Sequence, residues 1–137
     1  MQGSLGQEWC SISKKRSHNI KADQVYFYSR KIKGKTGSST KIVIYIGREI
    51  ASLLDWKLKD SVEVFFNNFN QNLLKISKSD VPHSFKLSNN LAEKVLRIQF
   101  YKPDQLKINE SKTVSVEFDL TTDKALLIDL SKIRNDE

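Results

Sequence analysis

Apolar residues recur in this chain with a period of two, in short runs separated by turn residues, and that pattern confines it to a mainly β fold. From Lys41, Ile42, Ile44 and Ile46 occupy one face and Val43 and Tyr45 the other, as in a strand buried on at least one side. Val62 to Phe66 and Leu73 to Ile76 read as two more strands about an Asn-rich loop that Phe69 interrupts. Val114 to Phe118 and Ala125 to Leu130 read as a further hairpin across Asp119 to Lys124. Only Arg48 to Trp56 changes the period. Gly47 ends the strand, Ile50, Leu53 and Leu54 fall at helical spacing, and Glu49 stands early, where the helix dipole favours an acid. A helix of about two turns that lays Ile50, Leu53 and Leu54 on the sheet is predicted there.

The segment between the hairpins is less regular. Ser84 to Leu87 and Val95 to Phe100 read as strands around the turn-forming Ser88, Asn89 and Asn90; in the alternative, Asn90 caps a helix through Leu91, Glu93, Lys94 and Val95. Alternation of Val95, Arg97 and Gln99 with Leu96, Ile98 and Phe100 favours the strand, and Pro103 argues against a continuous helix nearby. The two clear hairpins superimpose at an offset of about 52 residues, which brings Lys41 to Ile46 onto Lys94 to Phe100 and suggests an internal repeat. The helix of the first copy has no counterpart in Tyr101 to Ile108.

A chain of 137 residues can bury one sizeable core, and 39% hydrophobic with 28% charged residues is ordinary for a globular domain. The lone Cys10 excludes an intramolecular disulfide and a Cys and His zinc cluster. Without an apolar leader at Met1 to Gly6 or an uncharged run long enough to span a bilayer, the expectation is a soluble cytoplasmic protein.

The formal charge of +7 is unevenly spread. Residues 1–40 carry eight basic groups against Glu8 and Asp23, a net of +6; residues 41–80 carry +1 and residues 81–137 are neutral. A strand near 25–31, with the aromatic run Tyr26, Phe27 and Tyr28, precedes a basic, glycine-containing segment read as a flexible loop over 33–39. The division expected is a basic N-terminal segment over 1–40, a β-rich barrel-like domain over 41–132 and a frayed tail over 133–137. Arg30, Lys31, Lys33 and Lys35 on such a loop can reach nucleic-acid phosphates, each contact adding salt-dependent affinity. Tyr26 and Tyr28 either stack on unpaired bases or pack, and alternating aromatics on a strand more often pack.

Ile46, Arg48, Glu49, Ile50, Leu54, Asp60, Val62, Glu63 and Val64 fall without a gap on a longer pattern. The stretch Lys41 to Ile76 resembles the looped-hinge, swapped-hairpin module of the AbrB, SpoVT and MazE group of bacterial DNA-binding proteins. Gly47 stands in place of that family's Pro, Asp55 in place of a frequent Gly, and Trp56 at a usually aliphatic position. An Asp before the strand can accept hydrogen bonds from turn amides, which suits Asp60 to order the helix-to-strand connection. In such proteins two chains interleave into one small barrel. The resemblance therefore implies a small swapped-hairpin-like barrel: either a single-chain pseudo-dimer, by analogy with the tandem-copy MraZ family, or a homodimer decorated by the second half. It also implies double-stranded DNA as partner, with Lys41 and Arg48 as binding residues, and Lys57 or Lys59 at the turn.

Catalytic patterns are absent. His18 and His83 belong to no metal or triad spacing, Cys10 has no nucleophile signature, Gly34 and Gly37 lack P-loop spacing, and Asp119 with Asp123 reads as a solvated hairpin pair. No enzyme, cofactor, metal or membrane is therefore expected. The leading expectation is a prokaryotic or phage-type DNA-binding protein, a transcriptional regulator or antitoxin-like repressor. Its rivals are a protein-interaction module, such as a mobile-element factor that inhibits a host protein, and a single-stranded nucleic-acid binder.

Overall fold

The computed structural model describes residues 21–35, 37–67, 69, 72–90, 95–104, 106, 108 and 111–131. β-branched and aromatic residues suit a pleated, half-buried surface, and the alternating runs all lie in strands. These are β1 (Val25–Gly34), β2 (Gly37–Ile46), β3 (Ser61–Phe66), β4 (Leu73–Lys78), β5 (Phe85–Lys86), β6 (Ser88–Asn90), β7 (Val95–Tyr101), β8 (Ser111–Leu120) and β9 (Leu126–Asp129). Among the described residues one helix, α1 (Arg48–Leu54), is present, between β2 and β3.

Every strand pair is antiparallel, in the order β5-β3-β4-β9-β8-β1-β2-β7-β6. Two segments turn this sheet into a nearly closed barrel. β8 pairs its first part with β1, through Val116 opposite Val25, and its last four residues with β9, through Glu117 opposite Asp129 to Leu120 opposite Leu126. β5 and β6, the outermost strands of the order, are separated in sequence by Leu87 alone. Leu87 is buried, its N–H donates to the Asp60 carbonyl at 2.8 Å and its carbonyl accepts from the Lys59 N–H at 2.9 Å. The edges that an open sheet would expose are thus tied together through one residue.

Around the ring, strands of the first half of the chain alternate with strands of the second: β1 and β2 lie between β8 and β7, and β3 and β4 lie between β5 and β9. The interior follows from period two. Val25 and Phe27 of β1, Ile42, Ile44 and Ile46 of β2, Val62 of β3, Leu74 and Ile76 of β4, Ile98 of β7 and Leu126 and Ile128 of β9 form one buried cluster.

α1 adds Ile50, Ala51 and Leu54 to that cluster, whereas Leu53, expected on the sheet, is 64% exposed. Ala51 takes its place because a seven-residue helix buries only one narrow stripe, here the i, i+1, i+4 face. The helix ends with Asp55 in the left-handed region (φ 58°), while the N–H groups of Asp55 and Trp56 bond the carbonyls of Ser52 and Ala51. At its start a Cβ on Gly47 would lie 2.3 Å from the Ala22 carbonyl oxygen, and the Gly47 N–H donates to Gln24 at 2.9 Å. Proline, the residue of the resembled family at this position, has neither the room nor the hydrogen here.

Several expectations change. β1 runs to Gly34 and β2 starts at Gly37, so most of the segment expected as a loop over 33–39 lies in strands. β1 sits between β2 and β8, so residues 25–34 pair into the same sheet as the strands that follow residue 41. Ser88, Asn89 and Asn90, with turn-forming side chains, make strand β6 because β7 offers its edge to them. Trp9, Cys10, Lys14 to Arg16, His18, the helix alternative over 91–94 and the tail over 133–137 lie outside the described residues.

Candidate nucleic-acid interface

Between Asp23 and Glu49 the chain holds no acidic residue, and it folds there into the β1–β2 hairpin. The registers place Arg30 opposite Lys41, Lys31 opposite Thr40, Lys33 opposite Ser38 and Gly34 opposite Gly37. Among the described residues β8 accompanies β1 over Val25 to Ser29, and β7 accompanies β2 from Lys41 to Ile46. The end of the hairpin beyond them is therefore a two-stranded ribbon of four residue pairs, Lys31 with Thr40 to Gly34 with Gly37, roughly 10 Å long at about 3.4 Å per residue. Gly37, at φ 141°, allows the tight reversal.

Lys31, Lys33 and Lys35 are exposed on this ribbon, and at its base stand the exposed Arg30 and the half-buried Lys41. Parity sorts them. Arg30 and Lys41 continue the outer face of β1 and β2, whereas Lys31 and Lys33 continue the face that, further along, lines the barrel interior. Like charges directly across an antiparallel pair repel, so the apposed Arg30 and Lys41 cost stability unless an anion lies over them.

Arg48 does not join the group. It is exposed at the start of α1, past the opposite end of β2, roughly 17 Å or more along the strand from Lys41. Lys57 and Lys59 are exposed at that same far end, in the turn between α1 and β3. Asp60 orders this turn as anticipated. Its carboxylate accepts from the Lys57 N–H at 2.8 Å and pairs with Lys78 at 3.3 Å, and these contacts hold its pKa below the ordinary carboxylate value.

Tyr26 and Tyr28 are half-buried against a second apolar cluster on the outer face of the sheet, formed by Val43, Tyr45 and Val95, so packing accounts for both. The exposed aromatics lie elsewhere. Tyr101, opposite Lys41 on β7 and so in one row with Arg30, is 63% exposed. Phe69 is fully exposed on the loop between β3 and β4, where the Asn67 side chain accepts from its N–H at 2.8 Å.

Behind Tyr101 opens a pocket of about 240 Å³, lined in part by Phe66, Phe85, Phe100, Pro103 and Leu106. The Lys102 N–H bonds the Thr40 carbonyl at 2.8 Å, which ties the pocket rim to the base of the ribbon. The Lys102 ammonium donates to the carbonyls of Pro103 and Leu106, at 3.3 and 3.0 Å, and holds the rim in the place where a second helix was sought. Sequence reasoning passed over Tyr101, although the alternation of Val95, Arg97 and Gln99 already sets it on the polar face.

No protein-family model, curated protein or solved structure matches the chain. Among the described residues no three His, Cys, Asp or Glu side chains gather as a metal site, and no helix is long and apolar enough to cross a membrane.

Proposed function

We propose that this protein binds double-stranded DNA by laying the β1–β2 ribbon in the major groove. The observation that carries the reading is the ribbon itself: two strands projecting past their neighbours, with five basic and no acidic residues from Arg30 to Lys41. A major groove about 12 Å wide admits a two-stranded ribbon, and side chains on its two faces can then meet base edges and phosphates. Resemblance to the looped-hinge, swapped-hairpin group adds the finer reading of a transcriptional regulator or antitoxin-like repressor.

In that reading the barrel is a single-chain pseudo-dimer. Exchanging β2 with β7, β3 with β8, β4 with β9 and β1 with the β5–β6 segment reverses the strand order onto itself, and the antiparallel pairs β2–β7 and β4–β9 would straddle the pseudo-twofold axis. A monomeric mass in solution is expected; a stable dimer would favour the two-chain barrel.

The functional test is fluorescence anisotropy of a labelled duplex across a salt series. Replacing Arg30, Lys31, Lys33 and Lys35 by Ser should weaken binding and flatten the slope of log K against log salt by up to about 3.6, near 0.9 per lost phosphate contact. Undetectable binding at physiological salt, or a slope the variant leaves unchanged, rejects the proposal. Arg48→Ser, at the far end of β2, should change the slope little.

A further inference from the structure

The ribbon end of the barrel carries two chemistries side by side. One is cationic: Arg30 and Lys41 stand in the outer row that ends at Tyr101. The other is aromatic. Among the described residues all three exposed aromatic side chains, Phe65, Phe69 and Tyr101, stand on strand ends or a loop at this end, and Tyr101 lines the pocket together with Phe66, Phe85 and Phe100. Exposed Leu53 and Leu58 lie at the other end, with α1. Phe85 and Phe100 meet as a tilted pair, ring centroids 5.7 Å apart, and give the pocket a preformed aromatic wall.

A ligand suited to both features is a flat, apolar ring carried on an anionic backbone. A Watson–Crick pair presents no free ring face to such a wall, whereas an unpaired base does, and stacking on aromatic side chains tolerates any base. We infer that the pocket mouth beside the ribbon binds an unpaired nucleobase of a strand whose phosphates lie along Arg30 and Lys41, with Tyr101 and Phe69 as stacking surfaces. The preferred ligand is then a junction, in which the ribbon holds duplex and the pocket takes the first base of an overhang or bulge. The inference rests on the nucleic-acid reading of the ribbon.

Three labelled probes separate the cases: a blunt duplex, the same duplex with a single-stranded overhang carrying 2-aminopurine at its first unpaired position, and that overhang duplex in competition with a free nucleoside monophosphate. The overhang should bind about tenfold more tightly than the blunt end, the order expected of one stacked base, with quenching of 2-aminopurine on binding. Tyr101→Ala and Phe69→Ala, both at exposed positions that leave the core intact, should remove that gain and the quenching while blunt-duplex affinity holds. Equal affinity for both ends with no quenching overturns this inference and leaves the ribbon reading standing. Binding to none of the probes overturns both. Displacement by micromolar monophosphate would assign the pocket to a free nucleotide and overturn the strand-borne version.

Discussion

Two residues that depart from or follow the resembled pattern have opposite energetic roles. Asp55 occupies the left-handed position after α1, where a side chain costs about 1 kcal/mol relative to glycine. Asp55→Gly should therefore raise stability by up to about 1 kcal/mol, read as a higher urea midpoint with unchanged slope. Asp60, held below its ordinary pKa first by the Lys57 N–H and then by Lys78, stabilises the fold in its ionised form. A depressed carboxylate pKa contributes fully above the unfolded value near ~3.9 and is lost as pH falls through the lower folded value. Asp60→Asn should consequently lower the urea midpoint at neutral pH, and the gap from the parent should close below about pH 4. A gap that persists unchanged into that acid range would refute this account.

At the scale of elements, the apposition of Arg30 and Lys41 sets stability against binding. Lys41→Glu replaces a cross-strand repulsion by an attraction, and thermal unfolding should register a gain of about 0.2–1 kcal/mol. Duplex affinity of the same variant should fall, because an acid then faces the phosphates. A Lys41 with no ligand role would show the first change without the second.

The hairpins were legible because period two is a local signal: Val62 to Phe66 and Val114 to Phe118 lie inside the observed β3 and β8. The extent of the ribbon was not. Gly34, Ser38 and Ser39 have poor strand propensity, and their pairing follows from the β1–β2 register, which composition does not announce. The clustering of Arg30, Lys31, Lys33, Lys35 and Lys41 was readable from spacing; the separation of Arg48 from them was not, since it depends on which end of β2 the ribbon leaves. Tyr101 needed the β2–β7 register to become a neighbour of Lys41.

For the molecule as a whole, ring closure through Leu87 was hidden from local patterns, since its hydrogen bonds to residues 59 and 60 join segments far apart in sequence. The alternation of first-half and second-half strands has a consequence for chain continuity. Asp80, Pro82 and His83 form an exposed link between β4 and β5, and each piece left by a cut there owns strands that the other piece separates. Neither piece retains a closed sheet, yet together they hold every strand pair of the ring. A protease nick at that link should therefore release no fragment in native gel filtration, and the separated pieces, mixed after unfolding, should recombine into a complex that migrates with the intact protein. Assembly is then encoded in complementary edges, and the peptide bond between the halves serves mainly to keep them at high effective concentration.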